Sequence, residues 1–198
     1  LLLVQPNNPD GQRFPRAQLL AWHADLAARG GRLIVDEAFI DADPAHSLAP
    51  LAGAPGLVVL RSVGKFFGLA GARVGFVLAE PALLAQLAEK LGPWTVSGPA
   101  RAVTAAALAD RPWQAATRSR LAASSNRLAH LLARHGLPPS GGNALFQWVA
   151  SPDAALIHEH LAARAILTRL FLTPAGLRFG LPGGEAHWQR LDAALATL

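Results

Sequence analysis

No cysteine, methionine or tyrosine occurs in this chain of 198 residues, and lysine stands only at positions 65 and 90. Without cysteine there is neither a disulfide framework nor a thiolate metal site, and the redox compartment leaves no trace. No apolar run approaches the ~20 residues that a membrane span needs, and the opening "LLLV" is too short for a signal peptide and lacks a basic flank. We therefore expect a soluble protein without a membrane partner. Methionine is missing even at position 1, where the chain already reads as a buried strand, so a piece of a longer gene product is expected. The seven histidines lie singly or in helical positions such as His158 and His160, and no His/Asp/Glu group has ligand spacing, so no metal site is expected. Eighteen Lys and Arg against thirteen Asp and Glu give +5. The arginines are scattered, whereas nucleic-acid binding needs them clustered, so no nucleic-acid partner is expected.

What is present is a globular composition, 52% hydrophobic, large enough for a sizeable core. Apolar runs at Leu1 to Gln5, Arg32 to Ile40, Gly56 to Ser62 and Ala72 to Glu80 alternate with helical stretches or long connections. The first ends in "PNNPDG", a turn by composition. Pro15 to Arg29 and Pro81 to Leu91 read as helices, and Ala100 to Arg134 as mostly helical with a break at Pro112. Short apolar strands between helices indicate an α/β fold with a mostly parallel sheet. From about Ala115 the order changes: strand "ALFQWVA", a helix from Asp153 to Arg164, strands "ILTRLF" and "LRFGLP", and a closing helix from Glu185 to Thr197. That is a small α+β unit. The expected organisation is residues 1–114 as one portion and 115–198 as a smaller C-terminal domain.

The polar residues that stand out lie at strand ends or in the turns after them, where open α/β sheets place ligands. Asp36 closes the apolar run "LIV" and is expected to be buried there, so it needs a partner. Lys65 follows Ser62 and Gly64 at a strand-to-loop junction, where a lysine in a partly apolar pocket can act as an amine nucleophile. Arg73, in a glycine-spaced loop, has the planar fork that clamps a phosphate. Each alone has a plain structural explanation as a turn cap, a solvated cation or a loop residue. "SVGK" is not a Walker phosphate loop, because Phe66 follows the lysine and the upstream glycine is missing.

Taken in order, "QPNNPDG", "VDEAF", "SVGKFFGLAGARVGF" and "LRFGLP" resemble the fold type I pyridoxal 5'-phosphate enzymes of the aspartate aminotransferase superfamily, over the whole chain. The resemblance implies that residues 1–114 are the C-terminal portion of a cofactor-binding large domain. Lys65 is similar to the lysine that carries the cofactor as an imine and later moves protons at the substrate carbon. Asp36 is similar to the carboxylate that pairs with the ring nitrogen and makes the ring an electron sink. Asn8 matches the asparagine on the phenolic oxygen, Ser62 and Arg73 the phosphate contacts, and Arg178 the arginine on the substrate carboxylate. Phe39 stands where the family usually has tyrosine. It keeps the ring packing without the hydroxyl, so an imine that holds its proton to higher pH is expected.

"DEAFID", "GPWTVSGPA", "GGNALFQWV" and "ILTRLF" most resemble the cobalamin-biosynthetic threonine-phosphate decarboxylase branch. That implies a PLP-dependent lyase taking L-threonine O-3-phosphate to (R)-1-amino-2-propanol O-2-phosphate, with Arg169 similar to an arginine that binds the substrate phosphate. It also implies a cytoplasmic homodimer. The alternatives are an aminotransferase acting on histidinol phosphate or a related substrate, and an inactive fragment or non-catalytic binding module. Family members carry upstream a glycine-rich phosphate loop and an aromatic residue that stacks on the ring, neither of which is in this chain. The 198 residues alone are therefore expected to bind cofactor weakly and to turn over negligibly.

Overall fold

The computed structural model describes residues 1–198, which form two compact units. The first comprises 1–7 and 13–115, and the second 8–12 and 116–198.

In the first unit β1 (Leu2–Val4), β2 (Leu33–Asp36), β3 (Leu57–Ser62) and β4 (Gly75–Leu78) form one sheet in the order β1-β2-β3-β4. The pairs β1–β2 and β2–β3 are parallel and β3–β4 is antiparallel, so the sheet is mostly parallel. Val4, Asp36 and Leu60 stand level in the register. Parallel pairing needs a crossover, and α1 (Arg16–Ala27) supplies it between β1 and β2. Its Leu19 is fully buried with Leu33, Val35, Leu57 and Val59. Each such leucine contributes roughly 1.5–3 kcal/mol by leaving water.

α2 (Pro81–Leu91) and α3 (Gly98–Ala109) follow, then α4 (Arg111–Arg134). The expected break at Pro112 falls instead at Asp110. Proline in a helix's first turn loses no hydrogen bond, because the first N–H groups have no partner inside the helix. Pro112 therefore fits in the first turn of α4, just after Arg111, and the Asp110 carboxylate accepts the Trp113 N–H at 3.0 Å as its cap.

In the second unit β5 (Gly141–Asn143), β6 (Phe146–Ala150), β7 (Arg169–Leu172) and β8 (Ala175–Gly180) pair antiparallel in the order β5-β6-β8-β7. α5 (Ala154–Ala162) and α6 (Glu185–Leu195) pack with the second half of α4, and the core unites Leu128, Leu132, Leu161, Leu177, Trp188 and Leu191. The segment 8–12 lies against β5 so closely that a Cβ on Gly141 would meet the Asp10 carbonyl oxygen at 2.1 Å. Gly11, at φ +72°, would meet the Gly142 carbonyl oxygen at 2.0 Å. Glycine at both positions is thus a condition of the contact.

Candidate functional site

In the first unit, the candidate residues collect at the C-terminal ends of the parallel strands. β2 ends at Asp36, which is half-buried rather than buried. Its Oδ1 accepts the Ala38 N–H at 2.9 Å, folding the chain into the turn that carries Phe39. Its backbone carbonyl accepts the Gln5 N–H at 2.8 Å, so the exit from β1 is tied to the end of β2.

β3 ends at Ser62, two positions beyond the residue level with Asp36. Ser62 Oγ accepts the Gly64 N–H at 3.1 Å, which leaves its own O–H proton to donate elsewhere. Lys65 follows in a tight turn closed by the Gly68 N–H donating to the Lys65 carbonyl at 3.0 Å. Its side chain is exposed and makes no ion pair, and its Nζ stands 5.6 Å from the Phe39 ring centroid, a contact of amine with apolar ring. The next two residues are anchored. Phe66 and Phe67 are buried, in contact edge to face at 5.0 Å, and Trp113 meets them at 5.6 and 5.9 Å. The Lys65 backbone therefore has a rigid footing beneath a free amine. Arg73 is exposed in a left-handed conformation at φ +55° and donates to the Ala70 carbonyl at 3.2 Å. It hydrogen-bonds none of the other candidates.

The second unit gathers Asn8, Arg169 and Arg178. Arg178 sits on β8 directly across from Arg169 on β7. Its Nη1 donates to Asn8 Oδ1 at 2.6 Å, and its guanidinium lies 5.2 Å from the Phe146 ring. Arg169 lies 5.6 Å from the Phe171 ring. Burial, and then the like charge of Arg169, lower the Arg178 pKa from its ordinary value. Two guanidiniums held opposite each other with only a neutral amide as acceptor form a place for an anion. The Asn8 carbonyl oxygen is occupied by Arg178, so only its Nδ2 is left to donate to a ligand.

The charge that is fully buried is Glu37, one residue beyond the expected one. Its Oε2 accepts from Ser47 Oγ at 2.5 Å, its Oε1 from the Leu48 N–H at 2.6 Å, and Arg61 Nη1 lies 3.6 Å away. Burial raises its pKa, against the lowering by Ser47, the Leu48 N–H and Arg61. Arg61 Nη2 in turn donates to Asp41. One signal was available: an arginine inside the apolar strand "VVLRS" must find buried acceptors. A cavity of about 500 Å³ between α4 and α6, lined by Arg127, His130 and Asp192 among others, shares no residue with the candidate set. No group of three or more His, Asp or Glu residues is placed to hold a metal ion, and no helix is long and apolar enough to cross a membrane.

The amine of Lys65, free of ion pairs and facing an aromatic ring, and the strand-end carboxylate of Asp36 are the donor set that pyridoxal phosphate would require. The hydroxyl of Ser62 and the fork of Arg73 suit its phosphate, so the residues present fit that cofactor.

Over residues 1–192 the chain matches the family described as aminotransferase class I and II. It is 61% identical, over 195 residues, to a threonine-phosphate decarboxylase of Pseudomonas aeruginosa, covering 98% of this chain and 59% of that protein. It is 45% identical, over 203 residues, to a threonine-phosphate decarboxylase of a Sinorhizobium species, covering 100% of this chain and 60% of that protein. The crystal structure of the histidinol-phosphate aminotransferase from Sinorhizobium meliloti in complex with pyridoxal-5'-phosphate superposes with a TM-score of 0.87 at 27% identity, covering 99% of this chain and 56% of that one. The chain thus spans about three-fifths of the length of the curated relatives it matches.

Proposed function

This chain belongs to the aminotransferase class I and II family, and we propose that the protein it represents is a pyridoxal-phosphate-dependent decarboxylase of L-threonine O-3-phosphate. The product is (R)-1-amino-2-propanol O-2-phosphate, made in cobalamin biosynthesis by a cytoplasmic homodimer. In this reading residues 1–114 are the C-terminal portion of the cofactor domain and 115–198 the small domain.

The observation that carries the reading is Arg169 directly opposite Arg178. Each guanidinium is always charged, and their mutual repulsion is relieved by a ligand with two anionic groups. A short amino acid phosphate has both, a carboxylate for the more buried Arg178 and a phosphate for the exposed Arg169. The names of the relatives at 61% and 45% identity support the same substrate.

Bound pyridoxal phosphate supplies an electron sink for the pair released when a bond at the substrate's α-carbon breaks. The chain's own residues do the rest. Lys65 would hold the cofactor through Nζ, and the same amine would be placed to move a proton at the α-carbon. Asp36 would accept the ring N–H and so favour the protonated nitrogen. Ser62 and Arg73 hold the cofactor phosphate, and Phe39 packs beside the lysine. Asn8 Nδ2 would be left to donate to the cofactor's phenolic oxygen, while Asn8 Oδ1 accepts from the Arg178 fork. Arg178 would grip the substrate carboxylate and so fix how the substrate is presented, which favours breaking the bond from the α-carbon to that carboxylate.

The test is a pair of assays on the full-length protein, carbon dioxide release from threonine phosphate against keto-acid-dependent amino transfer from histidinol phosphate. Carbon dioxide release sustained without a keto acid supports the proposal. Transfer without release would make the protein an aminotransferase, the reading favoured by its likeness to the Sinorhizobium meliloti structure. Arg169→Ala is expected to raise KM for threonine phosphate, and an unchanged KM would remove Arg169 from the substrate site.

A further inference from the structure

Two residues next to the proposed cofactor contacts have no part in the chemistry above. Glu37 follows Asp36, and Arg61 precedes Ser62. In extended chain, consecutive side chains turn to opposite faces, so Glu37 and Arg61 are directed away from the face their neighbours take. There they meet. Arg61 Nη1 stands 3.6 Å from Glu37 Oε2 and 3.4 Å from Ser47 Oγ, while its Nη2 donates to Asp41. The backbone repeats the link, with the Glu37 N–H donating to the Leu60 carbonyl at 2.9 Å. The Glu37 carbonyl accepts the Ile40 N–H at 3.1 Å, which closes the turn bearing Phe39. Arg61 Nε is buried without a hydrogen-bond partner, so the two Nη atoms make the whole polar hold on the guanidinium.

A buried cluster of two carboxylates and one guanidinium is weak as a source of stability, because the loss of hydration offsets most of the attraction. Its capacity is geometric: each member accepts or donates in one direction only, and together they index the end of β2 against the end of β3.

We propose that Glu37 and Arg61 are positioning residues, whose buried contact fixes the strand ends so that Asp36 and Ser62 are held ready for the cofactor. The inference rests on the assignment of Asp36 and Ser62 made above. It predicts that Glu37 acts through Asp36, which a cluster serving the fold alone would not do.

The experiment is a double-mutant cycle on the full-length protein, reading the apparent Kd for pyridoxal phosphate by absorbance titration, with the melting temperature of each cofactor-free variant alongside. Glu37→Gln is expected to weaken binding about tenfold in the wild-type background and less than about threefold in the Asp36→Asn background. Equal factors in the two backgrounds, or no weakening in either, would overturn the inference and leave the cofactor site standing. Ser47→Ala, which removes the hydroxyl's bonds to Glu37, Arg61 and the Ala49 N–H and keeps the ion pair, should show the same coupling on a smaller scale, and it decides the matter if Glu37→Gln does not fold. Binding by the wild type that is indifferent to both Asp36→Asn and Lys65→Ala would instead overturn the site assignment itself, and the inference with it.

Discussion

The two sheets place their candidate side chains by different means. In the antiparallel sheet, Arg169 and Arg178 sit on the strands themselves, and cross-strand register alone puts them face to face. In the parallel sheet, the residues of interest lie at or past the strand ends: Asp36 and Ser62 are the last paired residues of β2 and β3, and Phe39 and Lys65 stand in the turns that follow, which no ladder controls. Register is a geometric constraint shared by every pair in the ladder, whereas a turn is held only by what it packs against. The parallel unit accordingly carries the buried Glu37–Arg61–Asp41 cluster and the Phe66–Phe67–Trp113 aromatic contact, both next to the candidate residues. A binding group on a strand comes already placed, and one on a loop needs its own foundations.

The largest expected effect lies at the strand-borne site. Arg178→Ala should weaken substrate binding by roughly 2–5 kcal/mol, because a partly buried charge would be removed from a desolvated anion. Isothermal titration with a substrate analogue measures it. A loss no larger than that of Arg169→Ala would show that exposure makes no difference and would break the contrast. Next in size, Leu177→Ala, on the strand that carries Arg178, should cost about 2–5 kcal/mol of stability by leaving a cavity in a fully buried position. Chemical denaturation reads that directly. Gly141→Ala should cost about 1–3 kcal/mol, since the Asp10 backbone has to retreat from the new methyl group. Any protection from it would be unexpected.

Asp110→Ala, removing the cap of α4, should cost about 1 kcal/mol, and Asp110→Asn should restore most of it. The smallest signal is electrostatic and has opposite signs in the two units. Burial raises the Glu37 pKa above 4.5, so the folded state holds that proton longer than the unfolded chain does, and this group's contribution to stability declines as pH rises from 4.5 through its raised value. In the other unit, His135 and then Arg134 lower the Asp192 pKa below 3.8. Its contribution is present above 3.8 and is lost as pH falls through the lowered value. Carboxyl titration by NMR should place the two midpoints on opposite sides of their ordinary values.

Much of this architecture was legible in the chain because its punctuation is strong. Proline, asparagine and glycine mark the turn after β1, Gly30 and Gly31 stop α1, and alternation of apolar runs with helices indicates parallel pairing. The hairpin that opposes Arg169 to Arg178 was legible from two short apolar runs, each bearing one arginine. β5 was not, because Gly141, Gly142 and Asn143 have poor strand propensity and pair only where segment 8–12 lies against them. The burial at the end of β2 was expected at Asp36 and falls on Glu37. The sequence shows two consecutive acids, and only the tertiary contacts with Ser47, Leu48 and Arg61 reveal which one faces the interior.

Behind Lys65, the aromatic trio has a further consequence. In the proposed role, a side chain that would hold a ligand, release it and then deliver a proton nearby works as an arm on a joint, and such an arm is accurate only if its shoulder stays still. Phe66 and Phe67, wedged against Trp113, brace the chain that follows Lys65, so in the proposed role the reach of the amine falls to the torsions of its own methylene stem. The amine can sweep an arc a few ångströms wide without disturbing the sheet that bears the rest of the site.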